Sequence, residues 1–143
     1  FMKQRIILFL ICILSIFTFD SCKKASTAFI NETLNSDTTA MLKYSGDFIS
    51  GPYGTVTGSA KIYLKQGSYT VALENFNSSN GPDLKVYISR EEMPVNFIRL
   101  DALRSVNGNQ LYAVPGNPDF TVYKYVLIHC EQYNHLFGSA LLQ

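Results

Sequence analysis

The chain has 143 residues, enough for one domain. It carries 12 Lys and Arg against 11 Asp and Glu, a formal net charge of +1, and this balance gives no basis for nucleic-acid binding. Hydrophobic residues make up 47% of the chain, which permits a packed core.

In chain order, the first feature is a leader. Lys3 and Arg5 precede an apolar run from Ile6 to Phe19, "IILFLICILSIFTF", and Asp20 and Ser21 lead into Cys22. This is the layout of a secretory signal peptide, and the run is shorter than the roughly 20 residues of a comfortable membrane span. "FTFDSC" resembles the cleavage region of a bacterial lipoprotein, in which the cysteine becomes the first mature residue and carries the lipid. Ser21 fits the small residue before it, and Phe19 and Asp20 match only the looser versions of the pattern. The reading predicts residues 1–21 as a lipoprotein signal, Cys22 as the lipidated residue, and a place in the bacterial cell envelope, on the periplasmic or surface face of a membrane. Membrane lipid attached through Cys22 is the first expected partner, since several acyl chains anchor stably where one binds marginally. The bland alternative is an ordinary signal peptide with Cys22 incidental.

Cleavage before Cys22 removes Cys12, and lipidation blocks Cys22. Cys130 is then the only free thiol, so no intramolecular disulfide is available and stability must come from the core. Losing Lys3, Arg5 and Asp20 leaves ten residues of each sign. Residues 22–40 are rich in Ser, Thr, Asn and Ala without a sustained period and predict a flexible tether, with Lys23 and Lys24 beside the lipid. "NET" at Asn31 and "NSS" at Asn77 match the glycosylation pattern by chance in such a protein.

From about residue 41 the texture changes to short alternating runs. "SAKIYLK" sets Ala60, Ile62 and Leu64 against Lys61, Tyr63 and Lys65. "SYTVALENF" sets Tyr69, Val71 and Leu73 against Thr70, Ala72 and Glu74. "DLKVYIS" sets Leu84, Val86 and Ile88 against Lys85, Tyr87 and Ser89. Period-two alternation marks half-buried strands. Turn chemistry separates them at "KQGS", "NSSNGPD", "VNGN" and "PGNPD". "QLYAV" and "YKYVLIHC" are further strands. "FIRLDALRS" fits a short helix or an irregular strand, and the apolar tail "NHLFGSALLQ" predicts a docked last strand. The expected fold of residues 41–143 is all-β, an antiparallel sandwich or barrel of about seven to eight short strands.

Three stretches occur in a recognisable order: "NGPDLKVYIS", "GNQLYAVP" and "YKYVLIHCEQYNHLFGSALL". Together they resemble the DM-thirteen domain, also called the electron-transfer DM-thirteen domain. The matching positions are Gly81, Pro82 and Asp83, then Gly108, Tyr112 and Pro115, then Cys130, then Phe137, Gly138, Ala140 and Leu142. The resemblance covers residues 41–143 and implies an all-β electron-transfer module, with a redox protein as a possible partner. It implies the cysteine as a bare redox thiol or a haem ligand, so haem is a possible cofactor. His129 stands where an aromatic residue commonly precedes that cysteine.

Read from the residues alone, Cys130 shares parity with Val126 and Ile128 and points into the core, where free cysteines usually act as small hydrophobes. Its place at a strand end, before Glu131, Gln132 and Tyr133, allows a seat at the rim. A redox thiol needs an electropositive, partly exposed setting, which only Arg90, Arg99 or Arg104 could bring from a distance. His129 must face away from Cys130, while His135 lies beyond the strand end and could fold back, making Cys130 and His135 weak metal candidates. Met41 and Met93 are soft side chains without supporting spacing. There is no Cys-x-x-Cys, Gly-x-Ser-x-Gly, phosphate loop or dinucleotide fingerprint, and the adjacent Glu91 and Glu92 suit a solvated loop. Two functions remain: a lipid-anchored redox module working through Cys130, and a non-enzymatic envelope binding or structural domain in which Cys130 is only packed.

Overall fold

The computed structural model describes residues 24–34 and 39–143; the leader, Cys22 and Lys23 lie outside the described residues. These residues form nine strands and no helix: β1 (Ile30–Asn31), β2 (Met41–Ser50), β3 (Val56–Lys65), β4 (Ser68–Ser78), β5 (Leu84–Ser89), β6 (Phe97–Ala102), β7 (Asn107–Ala113), β8 (Tyr125–Cys130) and β9 (His135–Leu141). All belong to one sheet in the order β1-β7-β4-β3-β2-β9-β8-β5-β6.

Turn chemistry sets the hairpins. Lys65 pairs with Ser68 across Gln66 and Gly67, which have φ of 48° and 78°. Two positive φ values in a two-residue loop match the twist of the flanking strands. Between β8 and β9 the turn ends on Asn134 at φ 53°, a residue type that tolerates the left-handed region.

β2 joins two halves. Leu42 to Asp47 pair with β3, whereas Phe48 to Ser50 pair with β9. The sheet curls about this strand, so the inner faces of the halves meet. Val56, Ile62, Val71 and Phe76 from one half and Val86, Ile88, Val126 and Ile128 from the other join a single buried cluster. The ends of the sheet, β1 and β6, are not bonded to each other, so the curl stays open.

The all-β expectation holds, and the docked tail is β9. One detail of the expected architecture is corrected. The described residues form nine strands, eight of them within 41–143 and one before it, and the sheet is mixed and open rather than antiparallel and closed or split in two. The added strand comes from the stretch read as tether. β1 runs parallel to β7, and Ser26 forms a parallel bridge to Ser105. Its binding is mostly polar and backbone-borne, which no hydrophobic period reveals. Arg104 grips Glu32 at 2.8 and 2.5 Å, the Ser105 hydroxyl donates to Ala28 O, and Ala25 is buried. Gly108 makes this docking possible: its φ is +102°, and a Cβ there would lie 2.0 Å from Ile30 O. "FIRLDALRS" resolves as the edge strand β6, bonded to β5.

Alternation fails in β5, where all six residues are buried. A second covered layer causes this. The segment 90–97 folds over the outer face, where Phe97 stacks on Tyr87 at 4.4 Å and the Ser139 hydroxyl donates to Glu92 at 2.9 Å. Tyr87, Leu127 and Leu136 form a small apolar cluster on this face.

Candidate functional site

Cys130 ends β8, between Leu84 of β5 and His135 of β9 in register. It is the free cysteine among the described residues, with 0% exposure, and belongs to the main core cluster. The seat at the rim expected from the polar residues after it is therefore corrected: the chain turns outward only at Glu131, whose N–H donates to Asp83 O at 3.0 Å and closes that end.

Gly81, Asp83 and Phe137 of the family pattern lie toward this end, whereas Ala140 pairs with Val126 and Leu142 bonds to Lys124 at the other end of β8. Gly81 is buried against Leu84 and Phe137. Asp83 forms an ion pair with Lys85 at 2.5 Å, both side chains largely buried. Phe137, Ala140 and Leu142 enter the core, and Gly138 lies against Val56. The middle group does different work. The Tyr112 hydroxyl donates to Gln110 at 2.9 Å and accepts from Arg104 N–H at 3.2 Å. Burial pushes its phenol pKa up. The Arg104 guanidinium lies 5.0 Å from the Tyr112 ring centre. Gly108 admits β1, and Pro115 is exposed. These residues lock the N-terminal segment onto β7 rather than line a site.

The arginines do not make Cys130 electropositive. Arg90 lies over Tyr123 at 4.9 Å, Arg99 reaches Glu131 at 3.4 Å, and Arg104 grips Glu32. Met41 and Met93 are exposed. His135 shares the register of Cys130, yet its ring stacks on Tyr53 at 3.6 Å and 3°. Among the described residues no three His, Cys, Asp or Glu side chains converge as a metal site. A haem does not fit beside Cys130 either. The thiol has no open face, and a cleft of about 470 Å³ elsewhere is lined by Ser45, Asp47, Ile49, Lys61, Leu141 and neighbours.

His129 faces the opposite side from Cys130, as strand parity requires. It is 3% exposed, and neither ring nitrogen has a hydrogen-bond partner in the described structure. Burial holds its pKa below the usual value. The Glu131 carboxylate favours the protonated form and His135 opposes it, both more weakly than burial. A base with a depressed folded pKa takes up its proton in the unfolded chain first. Its contribution to stability is complete above pH 6.5, the value for a free imidazole, and declines as pH falls toward the folded pKa. Folding stability should therefore fall between about pH 7 and 5, by at most about 1.4 kcal/mol per unit from this group. Denaturant melts across that range should show the slope, and His129→Leu should flatten it. The carboxylates held low, Glu32, Glu91 and Asp119, act only below their own range near pH 4. A variant that keeps the full slope would remove His129 as its source.

Sequence reasoning missed the outer-face group around His129. Its ring lies 5.5 Å from that of Tyr87, which is 2% exposed. The Tyr87 hydroxyl donates to Glu131 at 2.5 Å. Burial and the Glu131 carboxylate push the Tyr87 pKa far up. The signal was present: "VLIHC" has no alternation, as expected of a strand covered on both faces.

A comparison with family models matches residues 47–142 to the model described as electron transfer DM13. No curated protein and no solved structure shows significant similarity to the chain. The matched stretch runs from within β2 to the residue after β9, and takes in Cys130, the Gly81 loop and the Phe137 strand. The chain belongs to the electron transfer DM13 family.

Proposed function

We propose that this protein is a lipid-anchored electron-transfer module of the bacterial cell envelope, held by Cys22, with Cys130 as its redox-active group and a redox protein as its partner. Family membership over residues 47–142 is the observation that carries the redox reading. The order of charged leader, apolar run, Ser21 and Cys22 supports the anchor. Thiol exchange requires a thiolate that reaches its target. Cys130 is enclosed, so exchange requires opening of the β8–β9 end, where Tyr53 and His135 stack. The same enclosure favours the second reading, an envelope binding or structural domain in which Cys130 fills space as a small hydrophobe.

One set of measurements separates the two. Native Cys130 should react with a thiol reagent at least a hundredfold more slowly than the denatured chain. Ferricyanide reduction by the parent, lost in a folded Cys130→Ser variant, supports the redox role. A variant that is destabilised by about 1–3 kcal/mol, from a parent that exchanges no electrons, sinks it. The anchor is tested on its own: Cys22→Ala should leave the membrane fraction or remain unprocessed, and unchanged fractionation and migration would exclude lipidation at that residue.

A further inference from the structure

We propose that Tyr87 is a one-electron relay whose phenolic proton is taken by Glu131. Three rings run across the outer face from the sheet edge: Phe97 on β6, Tyr87 on β5 and His129 on β8. Phe97, 41% exposed, lies 4.4 Å from Tyr87, which lies 5.5 Å from His129. The buried phenol thus has an aromatic path to the surface.

Oxidising a buried phenol without moving its proton would leave a cation in a low-dielectric layer, which is costly. Here the proton has a destination. The Tyr87 hydroxyl donates to Glu131 Oε1 at 2.5 Å, in the range of strong charge-assisted hydrogen bonds. In the step, one electron passes to an outer-sphere one-electron oxidant, the phenolic O–H bond breaks, and an O–H bond forms on Oε1. The products are a neutral Tyr87 phenoxyl radical, a neutral Glu131 carboxylic acid and the oxidant reduced by one electron. A one-electron donor reverses the step, and the proton returns from Glu131.

The fold contains an internal comparison. The Tyr63 hydroxyl also donates to a carboxylate, Glu74, at 3.1 Å, and its pKa is pushed up to about 12, mainly by burial. Glu74 is committed to Lys61 at 2.5 Å, whereas Arg99 approaches Glu131 only at 3.4 Å and is half exposed. Tyr87 has the shorter bond and the acceptor less engaged by a cation.

The proposal rests on the electron-transfer reading for its use in the cell, but its test does not involve Cys130. The full chain in phospholipid vesicles is oxidised by flash-generated tris(bipyridine)ruthenium(III), with persulfate as the sacrificial acceptor. Tyrosyl radical is followed by transient absorption and electron paramagnetic resonance. The parent should give a long-lived neutral radical that falls at least tenfold in Tyr87→Phe and persists in Tyr63→Phe. Tyr87→Phe keeps the ring packing, and its circular dichroism should match the parent. In Glu131→Gln, which can accept the hydrogen bond but not the proton, radical formation should slow at least tenfold. An undiminished long-lived signal in Tyr87→Phe, or a parental rate in Glu131→Gln, overturns the proposal. The ferricyanide assay reads Cys130, so failure there leaves this result standing.

Discussion

Ile128→Ala should lower the unfolding free energy by about 4 kcal/mol, near the top of the range for removing a buried aliphatic side chain. Ile128 has 0% exposure in β8 and is held in register by Val86 on one side and Gly138 on the other. Both neighbours are fixed by ladder hydrogen bonds, and Gly138 has no side chain with which to fill the space. The cavity left by the substitution therefore stays open, and the cost of a core truncation grows with the cavity that remains. A domain of this size has on the order of 5–15 kcal/mol in total, so the variant should unfold at a much lower denaturant concentration with an unchanged slope. Ile49→Ala, at a side chain 70% exposed, should stay within about 0.5 kcal/mol of the parent. A loss below about 1 kcal/mol at Ile128 would show that this strand is not the packed centre of the core.

Gly46→Ala should be nearly as damaging, by about 3 kcal/mol, for the opposite reason. A Cβ at Gly46 would lie 2.1 Å from Leu141 O. Leu141 is paired with Tyr125 in the β8–β9 ladder, so its carbonyl cannot swing aside. Something must separate, and overpacking strain of this kind costs about 1–3 kcal/mol, occasionally more. The damage should be local as well as global. Ser45 and Gln143 exchange backbone hydrogen bonds at 3.1 and 2.9 Å beside the clash, so their amides should lose hydrogen-exchange protection before those of β4 do. Full protection at Ser45 and Gln143 in the variant would contradict this picture.

How much of this was legible depended on the kind of force involved. "SAKIYLK" shows its strand by alternation because Ala60 and Ile62 meet the core while Lys61 stays partly in water. The same reasoning set Lys85, Tyr87 and Ser89 on the face opposite Leu84, Val86 and Ile88 but did not reveal that this face is covered too, because alternation records one buried face and cannot report a loop that returns to cover the other. β1 was invisible for a related reason: Ile30 and Asn31 are held by backbone pairing and by a distant Arg104–Glu32 contact rather than by a repeating apolar pattern. Strand parity did place Cys130 on the core side and His129 on the outer side. It could not show how completely the end of β8 is closed, since Glu131 N–H to Asp83 O is a contact between residues 48 apart in sequence. The Tyr87–Glu131 bond, 44 residues apart, was equally out of reach.

The shared strand β2 also constrains the order in which the molecule can assemble. Its first part finds β3 a few residues later, but Phe48, Ile49 and Ser50 have no partner strand for their backbone until β9 appears. A chain emerging from its N-terminus can form the β2-β3-β4 meander early and must hold the rest of β2 unpaired until β9 has emerged. Closure therefore joins segments about 90 residues apart, the kind of non-local pairing that slows folding and leaves strand edges exposed meanwhile. Removal of only the last strand should leave a sheet with a dangling corner, prone to pair with other copies.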